Sequence, residues 1–139
     1  MEWKRFGNTL AVRLDKGDEI IESLLAAAKQ ENIRAGFFTG IGATDDCTVG
    51  VFDTKQKIYQ QFSFTENHEI NTLAGNFSTM NGEPYLHAHI TCTGPAGQVV
   101  GGHLLRGVIS LTAEIFITIM DADLLRRKDA EIGINKITF

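Results

Sequence analysis

The chain has 139 residues, of which 43% are hydrophobic and 22% are charged, a balance that is ordinary for a globular protein. Its formal net charge of -4 gives no electrostatic reason to bind nucleic acid or an anionic membrane surface, because both attract clustered lysine and arginine. We expect residues 1–139 to form a single domain with a hydrophobic core of its own.

The first quarter of the chain predicts a strand followed by a helix. Apolar residues alternate over residues 9–14, which is the pattern of a half-buried strand. Asp15, Gly17 and Asp18 are typical of a turn and a helix N-terminus. Between residues 19 and 31 the apolar positions recur at helical spacing, which predicts the one main helix of the protein.

The remainder of the chain is rich in strand signals. We predict strands at 35–39, 47–53, 57–64, 68–77, 86–93, 98–105 and 108–120, and an edge strand at 132–139. The strands at 86–93 and 98–105 are predicted to form a hairpin around Gly94–Gly97. One helix followed by so many strands indicates an α+β domain built on a mostly antiparallel sheet.

Cysteine usage and apolar segments indicate the cellular setting. Cys47 and Cys92 are too few for a disulfide framework and lack C-x-x-C spacing, so we expect a reduced, cytoplasmic protein. Charged residues near the N-terminus, with no apolar run after them, oppose a secretory signal. Residues 84–105 carry no Asp, Glu, Lys or Arg, but their histidines, glycines and proline oppose a membrane span.

Two other polar features are interpreted as surface segments. Arg126-Arg127-Lys128 is the only dense basic cluster, and acidic residues surround it, so we expect it to be solvated. His68 lies in a polar stretch and is expected in a surface loop.

The other three histidines fall within seventeen residues and indicate a metal site. His87 and His89 stand two apart on a predicted strand, so their side chains point to the same face. With His103 from the neighbouring strand they can form a ligand triangle for zinc or for another divalent transition metal such as nickel, iron or copper. The alternative interpretation is that the three residues are polar positions of a sheet surface.

The hairpin sets a geometric condition on this site. A four-residue connection would pair Thr93 with Gln98 and place His103 opposite Ala88, on the face away from the other two histidines. A slip of one residue reverses the face. Either a β-bulge at the glycines before His103 or a connection with an odd number of residues would supply that slip.

A metal with an open coordination position lowers the pKa of bound water, which would suit a hydrolase or lyase. Such chemistry needs a general base, and Glu83 and Glu114 are the candidates. Glu83 precedes the first histidine strand. Glu114 lies inside an apolar strand, where the alternative is a solvent-facing position on a sheet with one covered face.

Several motifs together resemble the PPC domain (plants and prokaryotes conserved). They are Gly75-Asn76-Phe77, the runs from Gly82 to Ile90 and from Gly97 to Leu104, Gly40–Ala43 and Thr112–Ile115. The resemblance covers roughly residues 5 to 120. It implies an antiparallel sheet flanked by one main helix and short helical pieces, assembly as a homotrimer, and a metal bound at His87, His89 and His103.

The resemblance also implies a connection with DNA. In plants this domain follows AT-hook segments in nuclear DNA-binding proteins, and prokaryotic members are often labelled predicted DNA-binding proteins. This chain has no R-G-R-P hook and no basic tail. Three classes of function therefore stay open: a small metal-binding protein of unknown activity, a DNA-associated or regulatory protein that acts as a trimer, and a metal-dependent hydrolase or lyase.

Overall fold

The computed structural model describes residues 1–139 and contains one helix and nine strands. In chain order they are β1 (Glu2–Phe6), β2 (Thr9–Asp15), α1 (Ile20–Gln30), β3 (Gly36–Asp53), β4 (Ile58–Phe64), β5 (His68–Met80), β6 (Glu83–Thr93), β7 (Val99–Ile119), β8 (Leu125–Lys128) and β9 (Asn135–Thr138). The predicted α+β class with a mostly antiparallel sheet is confirmed. The short helical pieces implied by the resemblance are not among these elements.

The two longest strands differ from the prediction because glycines do not interrupt them. The two strands predicted at 35–39 and 47–53, one on each side of Gly40–Ala43, form the single 18-residue β3. The two strands predicted at 98–105 and 108–120 form the single 21-residue β7. Register shifts in the β3–β7 pairing allow these strands to bend. A Cβ at Gly42 would lie 2.4 Å from the Thr112 carbonyl oxygen, so glycine allows the strands to approach closely there.

All nine strands belong to one sheet, and its central strands close on themselves. β7 pairs with β3, β3 with β5, β5 with β6, and β6 with the first residues of β7, all antiparallel. β1 and β2 extend the sheet beside β7, and β4 pairs with the second half of β3. The hairpin of β8 and β9 attaches to β5 through one parallel bridge, which carries the C-terminal segment toward β6.

The helix covers one face of this sheet. Glu19 caps it by accepting a hydrogen bond from the Glu22 backbone N–H, and Asn32 follows its end with a φ of 51°. Its apolar residues Ile20, Leu24, Ala27 and Ala28 are buried and belong to the hydrophobic core. With 11 residues, the helix has neither the length nor the apolar character needed to cross a bilayer.

Both cysteines lie in the core as free thiols. Cys47 on β3 and Cys92 on β6 are fully buried. Burial raises the pKa of Cys47 to about 12 and that of Cys92 to about 11. Both side chains therefore stay protonated at neutral pH and act as small apolar core residues.

The opposite face of β3 and β7 is apolar but uncovered. Phe37, Ile41 and Phe116 are 54%, 59% and 55% exposed, respectively. Thr39 pairs with Phe116, and Ile41 pairs with Glu114, so these side chains are neighbours on one surface. We call the surface formed by Phe37, Ile41 and Phe116 the apolar outer face.

Candidate metal centre

The β6–β7 hairpin brings the three histidines to one face of the sheet. Thr93 pairs with Val99, so the connection consists of the five residues Gly94–Gln98. The pairing continues without a shift, and His103 lies directly opposite His89. Of the two alternatives, a β-bulge or a connection of odd length, the structure has the connection of odd length, and the two strands need no bulge between them.

The three imidazoles form a compact triangle. Their ring centroids are separated by 5.2 Å (His87 to His89), 5.1 Å (His87 to His103) and 5.3 Å (His89 to His103). One ring nitrogen from each residue lies within 4.8 Å of the nitrogens of the other two. Three nitrogen donors that converge in this way are a ligand set suited to one transition metal ion.

His103 is the most constrained of the three. Its ring stacks on that of Tyr59 from β4, with 4.7 Å between the centroids and 23° between the planes. Gly50 on β3 pairs with His103, and a Cβ there would lie 2.8 Å from the Tyr59 ring, so glycine makes room for the stack. Nδ1 of His103 is buried and has no hydrogen-bond partner. A buried polar atom without a hydrogen-bond partner destabilises the folded protein by about 1–3 kcal/mol. A metal ion bound by the three histidines would give their donor nitrogens a partner.

Burial and nearby positive charge keep two of the imidazoles neutral. Burial is the largest cause that lowers the pKa of His103 to about 4, followed by His87, His89 and Arg126. The pKa of His87 is also lowered, by burial first and then by Arg126 and His89. Neutral imidazole is the form that binds metal, so neither His87 nor His103 has to lose a proton at pH 7.

Arg126 lies beside the histidines, and the expectation of a solvated segment is wrong for this residue. Only 7% of it is exposed. Its Nε donates to Ser78 Oγ at 2.9 Å, Nη1 donates to the Asn135 carbonyl at 2.9 Å, and Nη2 donates to Asn76 Oδ1 at 2.8 Å. Nη2 also lies 3.5 Å from Nδ1 of His87. Arg126 is thus a neighbour of the candidate ligands.

The sequence holds only a weak signal for this placement. Arg126 is buried while Arg127 and Lys128 are exposed, so the basic run belongs to a strand with one covered face. Four residues are too few for a strand pattern to be recognised, and nothing in the sequence indicates the bridge between Leu125 and Thr79 that docks β8 on β5.

A cavity of about 420 Å³ adjoins the histidines. Its walls include His87, His103, Arg126 and two tyrosines, Tyr59 and Tyr85. The remaining wall residues are Met80, Lys128, Gly133, Ile134 and Asn135. The guanidinium of Arg126 lies 4.9 Å from the centre of the Tyr85 ring. The cavity therefore presents two imidazoles, two phenols and two cations, and no acidic side chain.

The structure does not bring Glu83 or Glu114 to the histidines. Glu83 is exposed, and its Oε2 lies 3.5 Å from Nζ of Lys29 on the helix. Glu114 lies on the outer side of β7, where it pairs with Arg13 and Ile41. Neither carboxylate lines the cavity beside the histidines. For Glu114, the solvent-facing alternative describes its position.

The fourth histidine is also placed differently from the expectation. His68 is not a surface loop residue, because it begins β5 and only 4% of it is exposed. Its ring packs against Phe64 at 4.4 Å, and its Nδ1 lies 2.6 Å from the carbonyl oxygen of Glu66. These contacts give His68 a packing role outside the three-histidine cluster.

Solved structures resemble the chain along its whole length. A protein of Bacteroides thetaiotaomicron, named for a supposed DNA-binding role, is 33% identical and covers 99% of this chain and 96% of its own, with a TM-score of 0.96. A metal-containing protein of Archaeoglobus fulgidus is 27% identical over 99% of this chain and 97% of its own, with a TM-score of 0.89. A plant- and prokaryote-conserved (PPC) protein of Pyrococcus horikoshii is 28% identical over 97% and 93%, with a TM-score of 0.85.

The comparison with families agrees with the resemblance found in the sequence. A search of curated proteins found no match to the chain. The family model for the Plants and Prokaryotes Conserved (PCC) domain matches residues 1–121, which include all three candidate ligands. The chain is therefore a member of the Plants and Prokaryotes Conserved domain family.

Proposed function

We propose that this protein is a small metal-binding protein in which His87, His89 and His103 hold one divalent transition metal ion. The observation that carries the proposal is the convergence of three imidazoles, each with one ring nitrogen within 4.8 Å of the others. The buried Nδ1 of His103, which has no hydrogen-bond partner, adds support. Three imidazole nitrogen donors suit zinc best, and nickel, iron and copper are the alternatives. The metal-containing relative from Archaeoglobus fulgidus supports this function.

A metal-dependent hydrolase or lyase is the second candidate, and the cavity beside the histidines favours it. Three protein ligands leave at least one coordination position for a water or substrate, and a metal there supplies Lewis-acid chemistry. Tyr59 and Tyr85 line that cavity, whereas Glu83 and Glu114 do not. If the protein is an enzyme, we expect the tyrosines to be the groups that exchange protons or orient the substrate.

DNA association is the function that the name of the Bacteroides thetaiotaomicron relative suggests. The charges of this chain give it little support. The net charge is -4, Arg126 is buried, and Lys136 is paired with Asp129. A DNA-binding protein normally needs a stripe of free cations to contact phosphates. The metal-binding proposal therefore ranks above this one.

We also propose that the chain assembles as a homotrimer and resides in the cytoplasm. The apolar outer face offers a surface for self-association, because exposed apolar groups of this kind commonly mark interfaces. The number three follows from the family resemblance. The cytoplasmic location is supported by the two free buried cysteines, which suit a reducing compartment.

Elemental analysis of protein purified without added metal tests the metal proposal. We expect about one ion per chain in the wild type. His87→Ala and His103→Ala should each lose the ion with little change in the circular dichroism spectrum. His68→Gln is the matched control and should retain the ion, because His68 lies outside the cluster.

A wild-type protein that contains no metal, and that takes up none when zinc is offered, would refute the site. Loss of the folded state in both alanine variants would instead identify a structural ion. If the fold survives removal of the ion, hydrolytic substrates should be screened with the metal-loaded protein.

A further inference from the structure

Arg126 is a buried cation without a carboxylate partner. Its hydrogen bonds go to Ser78, Asn76, the Asn135 carbonyl and, at the longer distance of 3.5 Å, Nδ1 of His87, and none of these is a carboxylate. It belongs to none of the ion pairs of the protein. By contrast, four arginines that reach solvent each pair with a carboxylate: Arg5, Arg13, Arg34 and Arg106. Burying an unpaired charge is costly, so this placement requires an explanation.

The contacts of Arg126 orient the guanidinium but do not use all of its donors. A guanidinium carries five N–H groups in one plane. Ser78, Asn135 and Asn76 each accept one of them, and Nη2 also makes a long contact of 3.5 Å with Nδ1 of His87. The second N–H of Nη1 has no partner. The ring of Tyr85 packs against the guanidinium at 4.9 Å. An immobilised guanidinium with one free N–H on Nη1, and a second N–H on Nη2 held only by a long contact, can donate to the oxygens of a carboxylate or phosphate.

The walls of the adjoining cavity have one sign of charge. Arg126 and Lys128 both line it, and no acidic residue lines it. Lys128 takes part in none of the ion pairs of the protein. The larger cavity of about 620 Å³ elsewhere on the molecule is different, because Glu31 and Asp123 line it together with arginines. A concave site lined by positive charges and no negative ones attracts anions. About 420 Å³ is a volume that suits a small molecule.

We propose that this cavity binds a small oxyanion, through a carboxylate or phosphate group held by Arg126 and Lys128 next to the three histidines. The inference deepens the proposed metal function and rests on it for the second anchor of the ligand, which is the ion held by His87, His89 and His103. Arg126 and Lys128 lie on β8, beyond residue 121 where the family match ends. The anion site therefore combines histidines of the family domain with cations of the segment that follows it.

Isothermal titration calorimetry with malonate and with inorganic phosphate tests this site, with malonamide as the neutral analogue. We expect the zinc-loaded wild type to bind at least one of the two anions and not malonamide. Malonate alone would identify carboxylates as the ligand class, and phosphate alone would identify phosphate esters. Binding of neither anion, or equal binding of malonamide, would overturn the proposal.

Neighbouring residues of β8 provide the variants and their control. Lys128→Gln should weaken anion binding about ten-fold, and Arg126→Gln should weaken it by about a hundred-fold or abolish it, as expected for charge-assisted contacts. Arg127→Gln removes the same charge from a residue that does not line the cavity and should bind as the wild type does. If Arg126→Gln does not fold, Lys128→Gln decides, because Lys128 is exposed. Unchanged affinity in Lys128→Gln would then overturn the proposal.

The position of the anion relative to the ion needs a separate measurement. In cobalt-loaded protein, malonate or phosphate should change the visible absorption of the cobalt ion if the anion lies beside it. Intact anion binding with an unchanged cobalt spectrum would contradict the proposed position. Failure of the metal function is detected independently, because elemental analysis then finds no ion while anion titration of the same protein can still be carried out.

Discussion

His103 shows how one residue connects strand pairing with site chemistry. Its backbone is held between β3 and β6, opposite Gly50 and His89. Its ring is held by Tyr59, and its buried Nδ1 has no partner within the protein. The strands and the stacked ring of Tyr59 therefore fix the orientation of the imidazole. An imidazole held in this way loses little side-chain entropy when an ion binds.

We expect the metal-free protein to lose stability as the pH falls from about 6.5 toward 4. The pKa of His103 is about 4 in the folded protein, below the ordinary value of 6.5, so the unfolded chain binds the proton more readily. The stability that the neutral imidazole of His103 contributes is complete above pH 6.5 and is lost as the pH falls from 6.5 to about 4. Urea unfolding at pH 7, 5.5 and 4.5 measures it.

The matched variant for this prediction is His103→Gln, which removes the titrating ring. Its free energy of unfolding should decline less than that of the wild type over the same pH range. An identical decline in both proteins would show that other groups control the acid sensitivity and that His103 titrates normally.

At the scale of elements, the β6–β7 hairpin and strand β4, which carries the Tyr59 ring stacked on His103, together determine the geometry of the site. Gly50 lies where β3 passes beneath the contact between Tyr59 and His103. We expect Gly50→Ala to destabilise the protein by about 1–3 kcal/mol, because the new Cβ would lie 2.8 Å from the Tyr59 ring and 3.1 Å from Leu105. Urea unfolding of the variant checks the value.

A double-mutant cycle identifies the cause. In a Tyr59→Ala background the same glycine substitution should cost clearly less, because the ring that it displaces is gone. An unchanged cost would assign the destabilisation to Leu105 or to the backbone. It would mean that Gly50→Ala does not act through the stack of Tyr59 on His103.

Strand patterns explain what could be predicted at this scale. Alternation with a period of two identified the faces of His87 and His89, and it limited His103 to two alternatives that depend on the length of one connection. Sequence alone could not decide between them, because a glycine-rich turn is compatible with several lengths. Arg126 was missed for a different reason. Its burial depends on β5, 48 residues earlier at Ser78, and no local pattern records such a contact.

At the scale of the whole molecule, the apolar outer face is a cluster of three exposed apolar side chains on paired strands. If it forms the trimer interface, Ile41→Glu should convert the wild-type trimer into a monomer, since Ile41 is 59% exposed on the isolated chain and a charge there would be buried by assembly. Light scattering coupled to size-exclusion chromatography measures the mass, which should fall from three times 15.3 kDa to 15.3 kDa.

Gln56→Glu is the control for charge, because it adds the same group at an exposed turn away from the outer face. It should leave the mass unchanged. A wild-type protein that is already monomeric would contradict the trimer, and a variant that stays trimeric would place the interface on another surface.

The five-residue connection between β6 and β7 has a consequence for how this protein can change over evolution or by engineering. Adding or removing one residue would turn His103 toward the opposite face or force β7 out of its pairing with β3, while a change of two residues would keep both. Variants of the Gly94–Gln98 loop that keep the three imidazoles together should therefore be those whose length differs by an even number of residues.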